Sequence, residues 1–175
     1  MKKKKIDFES QFWYRGTKLS CLTLLDAFFE IDSLADVKKS LFDVMNYSIK
    51  PKILMKNAPS LIFHYYLCMR SFIRASYVLQ LNTKKWKLND LPEYTSRLQQ
   101  GSLSDEEYRN PFLVFQKAFK EFSLEEFEFF LTEIIYHSLG AHYDEPEIDI
   151  VTPFIHLNKM LDASQIIRER GVKKK

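Results

Sequence analysis

Arg70 and Arg74 stand one helical turn apart in a stretch that holds no carboxylate. From Val44 to Asn89 there is neither Asp nor Glu, while eight bases fall there: Lys50, Lys52, Lys56, Arg70, Arg74, Lys84, Lys85 and Lys87. At about 100° per residue, Phe63, Tyr66, Arg70, Arg74 and Tyr77 form one stripe of a helix. Leu61, Tyr65, Cys68, Phe72 and Leu79 lie opposite. Two guanidinium forks at this spacing can clamp one phosphate or carboxylate, and interleaved rings can stack on bases or sugars. Arg70, Arg74, Tyr66, Tyr77, Lys84 and Lys85 are therefore the candidate anion- or nucleic-acid-binding residues of the basic segment 50–87.

The same two arginines have a structural use. A helix that is apolar on most sides belongs at the centre of a fold, and its arginines then act as struts to acids on neighbouring helices. Unpaired buried arginine is rare, so this reading ranks above the ligand site. From Ser102 to Asp149, twelve acids face only three bases (Arg109, Lys117 and Lys120), so partners are abundant. Asp26 and Glu30, one turn apart on an otherwise apolar helix, are expected to meet Arg70 or Arg74. Lys84, Lys85 and Lys87 around Trp86 read as a solvated loop anchored by one indole.

A second constellation is Glu133, His137 and His142. A carboxylate and imidazoles near a helix end can hold Zn²⁺ or Fe²⁺. The pattern lacks both H-E-x-x-H and the Glu-x-x-His pair of di-iron bundles, and ordinary i,i+4 pairing explains Glu133 and His137. A metal-dependent enzyme on these residues ranks third. The acids of 142–149 are irregularly spaced and lack the central glycine of a calcium loop. Cys21 and Cys68 sit in apolar sequence, match no zinc spacing and read as structural thiols. No G-x-S-x-G elbow is present, and no cofactor is implied.

The third constellation is aromatic. Phe8, Phe12, Trp13 and Tyr14 precede the first clear helix and would suit a docking arm for a protein partner or for self-association. Packing back onto the chain's own core is the simpler outcome, because such area has to be buried somewhere.

These residues are positioned by helices. One is expected from Thr17 to about Ile31. Ser33 with Asp36 caps a second over 34–48, which Pro51 ends. The longest apolar pattern runs from Asn57 or Ser60 to Leu81, followed by a loop or short helix around Trp86. Residues 93–100 are weakly helical. Ser104 with Glu107 and Ser123 with Glu126 are capping boxes. Asn110 and Pro111 suit a cap and first-turn proline ahead of a helix over 111–122. The next helix stops at Gly140, an extended piece is possible at Ile148–Val151, and Thr152-Pro153 opens a last helix that ends at Gly171.

Together this predicts an all-α, single-domain bundle of about six to seven helices, spanning 1–175, with an aromatic-rich core. Aromatics make up 15% of the chain and glycine occurs only four times, which disfavours sheet folds and glycine-rich phosphate loops. The net charge of +3 hides an acidic body: 26 bases less the seven lysines of 2–5 and 173–175 leaves 19 against 23 acids. Residues 1–5 and 172–175 read as disordered lysine tails. The lysines lead into no apolar leader, and charges interrupt every long apolar run, so a cytoplasmic, reducing setting without membrane contact is expected. The function that follows is a non-catalytic interaction or regulatory module, with an anion- or nucleic-acid-binding protein as the alternative.

Overall fold

The computed structural model describes residues 9–16, 20–50, 59–90, 100–140 and 147–175. They form eight α-helices: α1 (Ser10–Trp13), α2 (Cys21–Ile31), α3 (Leu34–Ser48), α4 (Pro59–Leu81), α5 (Asp105–Arg109), α6 (Phe112–Glu121), α7 (Leu124–Leu139) and α8 (Val151–Arg170). Six have seven or more residues. A 3-10 turn at Thr83–Lys85 leads into strand β1 (Trp86–Leu88), which pairs antiparallel with β2 (Val172–Lys174). None of the described helices is long and apolar enough to cross a membrane.

Local chemistry sets the helix starts. The Ser20, Ser33, Ser104 and Ser123 hydroxyls each accept from the backbone N–H three residues on, covering an otherwise unpaired donor. Glu107 and Glu126 return the bond to the cap N–H at 3.0 and 2.6 Å. Asn110 does not cap α6: it closes α5, while Pro111 occupies the position before Phe112 without a side-chain bond. The extended piece expected at Ile148–Val151 is not a strand: Glu147 and Ile148 form a bend, Val151 already opens α8, and the Asp149 carboxylate accepts from the N–H groups of Val151 and Thr152.

Helix α4 is the hub. It packs against α1, α2, α6 and α7, while α3 lies on α7 and α8 and closes the body. Ile62, Met69, Phe72, Ile73, Ala75 and Leu79 of α4 are buried. Phe72 stacks on Phe28 of α2 at 4.9 Å between ring centroids. Tyr77, Phe119 and Phe127 form a run of edge contacts at 5.3 Å each, joining α4 to α6 and α7.

The lysine tail expected at 172–175 is replaced by structure. Val172 and Leu88 are register partners and pack on the core, which gives the ribbon an inner face. A two-stranded ribbon alone is marginal, and burial of one face is what supports it. The counterpart expected at 1–5 and residues 93–99 of the weak helix expected over 93–100 lie outside the described residues.

Asp162 on α8 is a buried polar node. Its carboxylate accepts from Lys38 Nζ of α3 at 2.8 and 2.9 Å, and from the Ser102 backbone N–H and hydroxyl at 2.8 and 2.7 Å. Gly101 approaches it with φ +58°, and a Cβ there would stand 2.6 Å from Asp162 Oδ2. Only glycine accommodates both demands. Asp162→Ala is expected to cost about 1.5–3 kcal/mol, the range for bonds to a charged group, measured as the urea midpoint against wild type.

Candidate functional site

The two arginines of α4 are held from both sides. Glu128 of α7 receives Arg70 Nη2 at 3.1 Å and Arg74 Nη2 at 3.1 Å, with a further short contact to Arg74 Nε. Glu9, just before α1, makes a short bond with Arg70 Nη1 and lies 3.9 Å from Arg74 Nη1. Burial alone would raise the Glu128 carboxyl, but the hydrogen bonds from Arg74 and Arg70 outweigh it and hold it below the usual carboxylate range. Asp26 and Glu30, expected to serve these arginines, are exposed on α2, and Asp26 instead lies in the field of Arg168. Tyr66 Oη is 3.5 Å from Thr132 Oγ1, and the Tyr77 ring packs on Phe119. Tyr66, Arg70, Arg74 and Tyr77 of the stripe read from the sequence thus line a seam of α4 with α6 and α7, while Phe63 is exposed.

The aromatic residues near the N-terminus divide. Trp13 is buried and its indole N–H donates to Ser71 Oγ of α4 at 3.0 Å. Tyr14 is half-buried against it, Phe12 is exposed, and Phe8 lies outside the described residues. His137 Nε2 is 3.7 Å from Glu133 Oε2 on the same helix. His142, the third member of the metal reading, lies outside the described residues.

What the tertiary structure assembles is a different basic site. Lys84 and Lys85 end the 3-10 turn, Lys87 is central in β1, and Lys173, Lys174 and Lys175 arrive with β2. The register places Lys87 opposite Lys173 and Trp86 opposite Lys174, and the Lys175 N–H donates to the Lys85 carbonyl at 2.9 Å. All six lysines are exposed, beside a half-buried Trp86 and Leu88. The Lys85 ammonium donates to Asn82 Oδ1 at 2.5 Å. Among the described residues, none of the six lysines forms an ion pair with a carboxylate side chain.

Arg170, the last residue of α8, positions this ribbon. Its guanidinium donates to the Asn89 carbonyl at 3.1 and 2.7 Å and to the Arg109 carbonyl at 3.0 Å. Asn89 Nδ2 returns a bond to the Arg170 carbonyl at 2.7 Å. The sequence signal for this site is slight. Trp86-Lys87-Leu88 alternates like a strand, but three residues do not separate a strand from a loop, and nothing local links them to 172–175.

A third charged group is structural. Glu107 is buried and receives Lys159 Nζ at 2.9 Å and Lys117 Nζ at 3.1 Å, besides serving the α5 capping box. Burial on its own would raise this carboxyl. The Ser104 backbone N–H and the Lys159 and Lys117 ammonium groups override it and bring its pKa from 4.5 to about 2.

Compared with known proteins, the chain matches no family model, no curated protein and no solved structure.

Two measurements follow from these pairs. Arg70→Ala removes the hydrogen bond to the buried Glu9 carboxylate, leaving it only the Arg74 guanidinium at 3.9 Å, and is expected to lower stability by about 3 kcal/mol, the low end for breaking a buried pair because the Arg70 guanidinium is a quarter exposed; urea unfolding reads the loss. Glu107, with a lowered folded pKa, adds stability that is complete above pH 4.5 and is lost as pH falls toward 2. Glu107→Gln should therefore be less stable than wild type at pH 7 and show a shallower decline of the urea midpoint between pH 5 and pH 2.5.

Proposed function

We propose that this protein is a non-catalytic binding module whose working surface is the lysine ribbon, and that its partner is a nucleic acid gripped by its phosphates. The observation that carries this reading is the convergence of Lys84, Lys85 and Lys87 with Lys173, Lys174 and Lys175 on one ribbon. Like charges placed directly across a ladder, as Lys87 and Lys173 are, oppose the pairing. A polyanion relieves that repulsion, and each neutralised phosphate releases counterions.

The form of the contact follows from the side chains. Ammonium groups are compact point charges that suit phosphates and read no base pattern. Trp86 is half-buried with its indole nitrogen enclosed, so the site offers no open stacking platform. A two-stranded ribbon also has the cross-section that a DNA major groove admits. Binding of this kind is strong at low salt and indifferent to sequence. The arginines of α4, already engaged with Glu9 and Glu128, take no part in it. Cys21 and Cys68, both free and buried, accord with a reducing, cytoplasmic setting.

The test is fluorescence anisotropy of a labelled mixed-sequence DNA duplex over a salt series. With four lysines engaged, log K should fall against log salt with a slope of about −3.6. The double variant Lys87→Gln, Lys173→Gln, which removes the opposed like charges, should bind at least tenfold more weakly at low salt while melting at or above the wild-type temperature. Absence of binding at low salt, or equal binding by the variant, would overturn this reading.

A further inference from the structure

We propose that a cavity walled by α2, α3 and α4 binds a small hydrophobic amine. The cavity has a volume of about 340 Å³, within the range of small-molecule sites. Its body is apolar, formed by Phe28 of α2, Val37 and Val44 of α3 and Ile62 of α4. Helical periodicity explains why these meet: Val37 and Val44 share one face of α3, as Ile62, Tyr65 and Cys68 nearly do on α4. Leu61 and His64 also line the cavity and are exposed, which places its mouth at the first turns of α4.

Charge selects the ligand. Asp32, at the end of α2, and Asp43, on α3, both line the cavity, and no lysine or arginine among the described residues does. Neither carboxylate forms an ion pair or side-chain hydrogen bond among the described residues, unlike the engaged acids Glu9, Glu107, Glu128 and Asp162. The Tyr65 hydroxyl, closed off in the same wall, has no hydrogen-bond partner there either. The floor senses the same negative field. Burial foremost, and the charge of Asp32 after it, push the Cys68 thiol up to about 12, so it stays protonated and unreactive. An anionic ligand would meet two carboxylates with no lysine or arginine to offset them. A monoamine presents a cation to those carboxylates and an apolar body to the valine, isoleucine and phenylalanine walls. The cavity does not involve the lysine ribbon, and the two proposals stand or fall separately.

The experiment titrates 3-phenylpropylamine into methyl-labelled protein and follows the Val37, Val44 and Ile62 signals by NMR. Two isosteres are run in parallel: 3-phenylpropan-1-ol, which is neutral, and 3-phenylpropanoate, which is anionic. Saturable shifts with the amine, at least tenfold weaker with the alcohol and absent with the carboxylate, are expected. Asp32→Asn with Asp43→Asn, both at sites without bonded partners, should leave folding intact and reduce amine affinity at least tenfold. Ser40→Phe, which fills the cavity from α3, should abolish the shifts. The proposal is overturned if the amine leaves those methyls unmoved, if the alcohol or carboxylate binds as tightly, or if the doubly substituted protein binds the amine like wild type.

Discussion

The constraint on which this fold rests is that α4 has to be covered on nearly every side. Its 23 residues carry apolar side chains around most of the circumference, and leaving that area in water would forfeit the main favourable term in folding. Four helices answer it: α1, α2, α6 and α7 each lie against α4. The rest of the architecture is arranged around that requirement. Helix α3 has no dominant contact with α4 and instead packs on α7 and α8, completing a second layer.

Covering α4 has an electrostatic consequence. Arg70 and Arg74 sit on its surface at the place where α7 and the α1 segment close over it, so both guanidinium groups lose most of their water. Glu128 and Glu9 compensate that loss. The chain supplies them from opposite ends, and the Trp13–Ser71 hydrogen bond holds the N-terminal one in place. Fixed pairs of this kind add little net stability over apolar packing, but they penalise any arrangement that leaves one charge without its partner. Asp162 and Glu107 do the same for α8, each joining it to a distant segment through lysines and backbone donors. These nodes select one packing among several that an aromatic-rich core would tolerate.

The charge asymmetry along the sequence therefore resolves into two unlike things. The arginines of the acid-free stretch are internal and neutralised by carboxylates. The lysines beyond α4 are external, and the C-terminal lysines join them through the β1–β2 ribbon. The distinction follows side-chain chemistry. A guanidinium makes several directed bonds and tolerates partial burial, whereas an ammonium on a long stem keeps its water.

The sequence by itself determined the elements that local rules control. The span of α3, the extent of α4, the serine caps at Ser33, Ser104 and Ser123, and the mostly helical character follow from periodicity and from side chains that bond within three or four residues. It also ranked acids first as the partners of Arg70 and Arg74, because unpaired buried arginine is rare whichever acid answers. The tertiary structure alone decided that Glu9 and Glu128 would be those acids and that Asp26 and Glu30 would face solvent. It alone turned a lysine tail into a strand and brought it to Trp86–Leu88, and it alone placed Asp32 and Asp43 around one cavity. The physical reason is the same in each case. Partners far apart in the chain meet only through the packing of whole helices, which minimises total exposed apolar area, and no local pattern records the outcome.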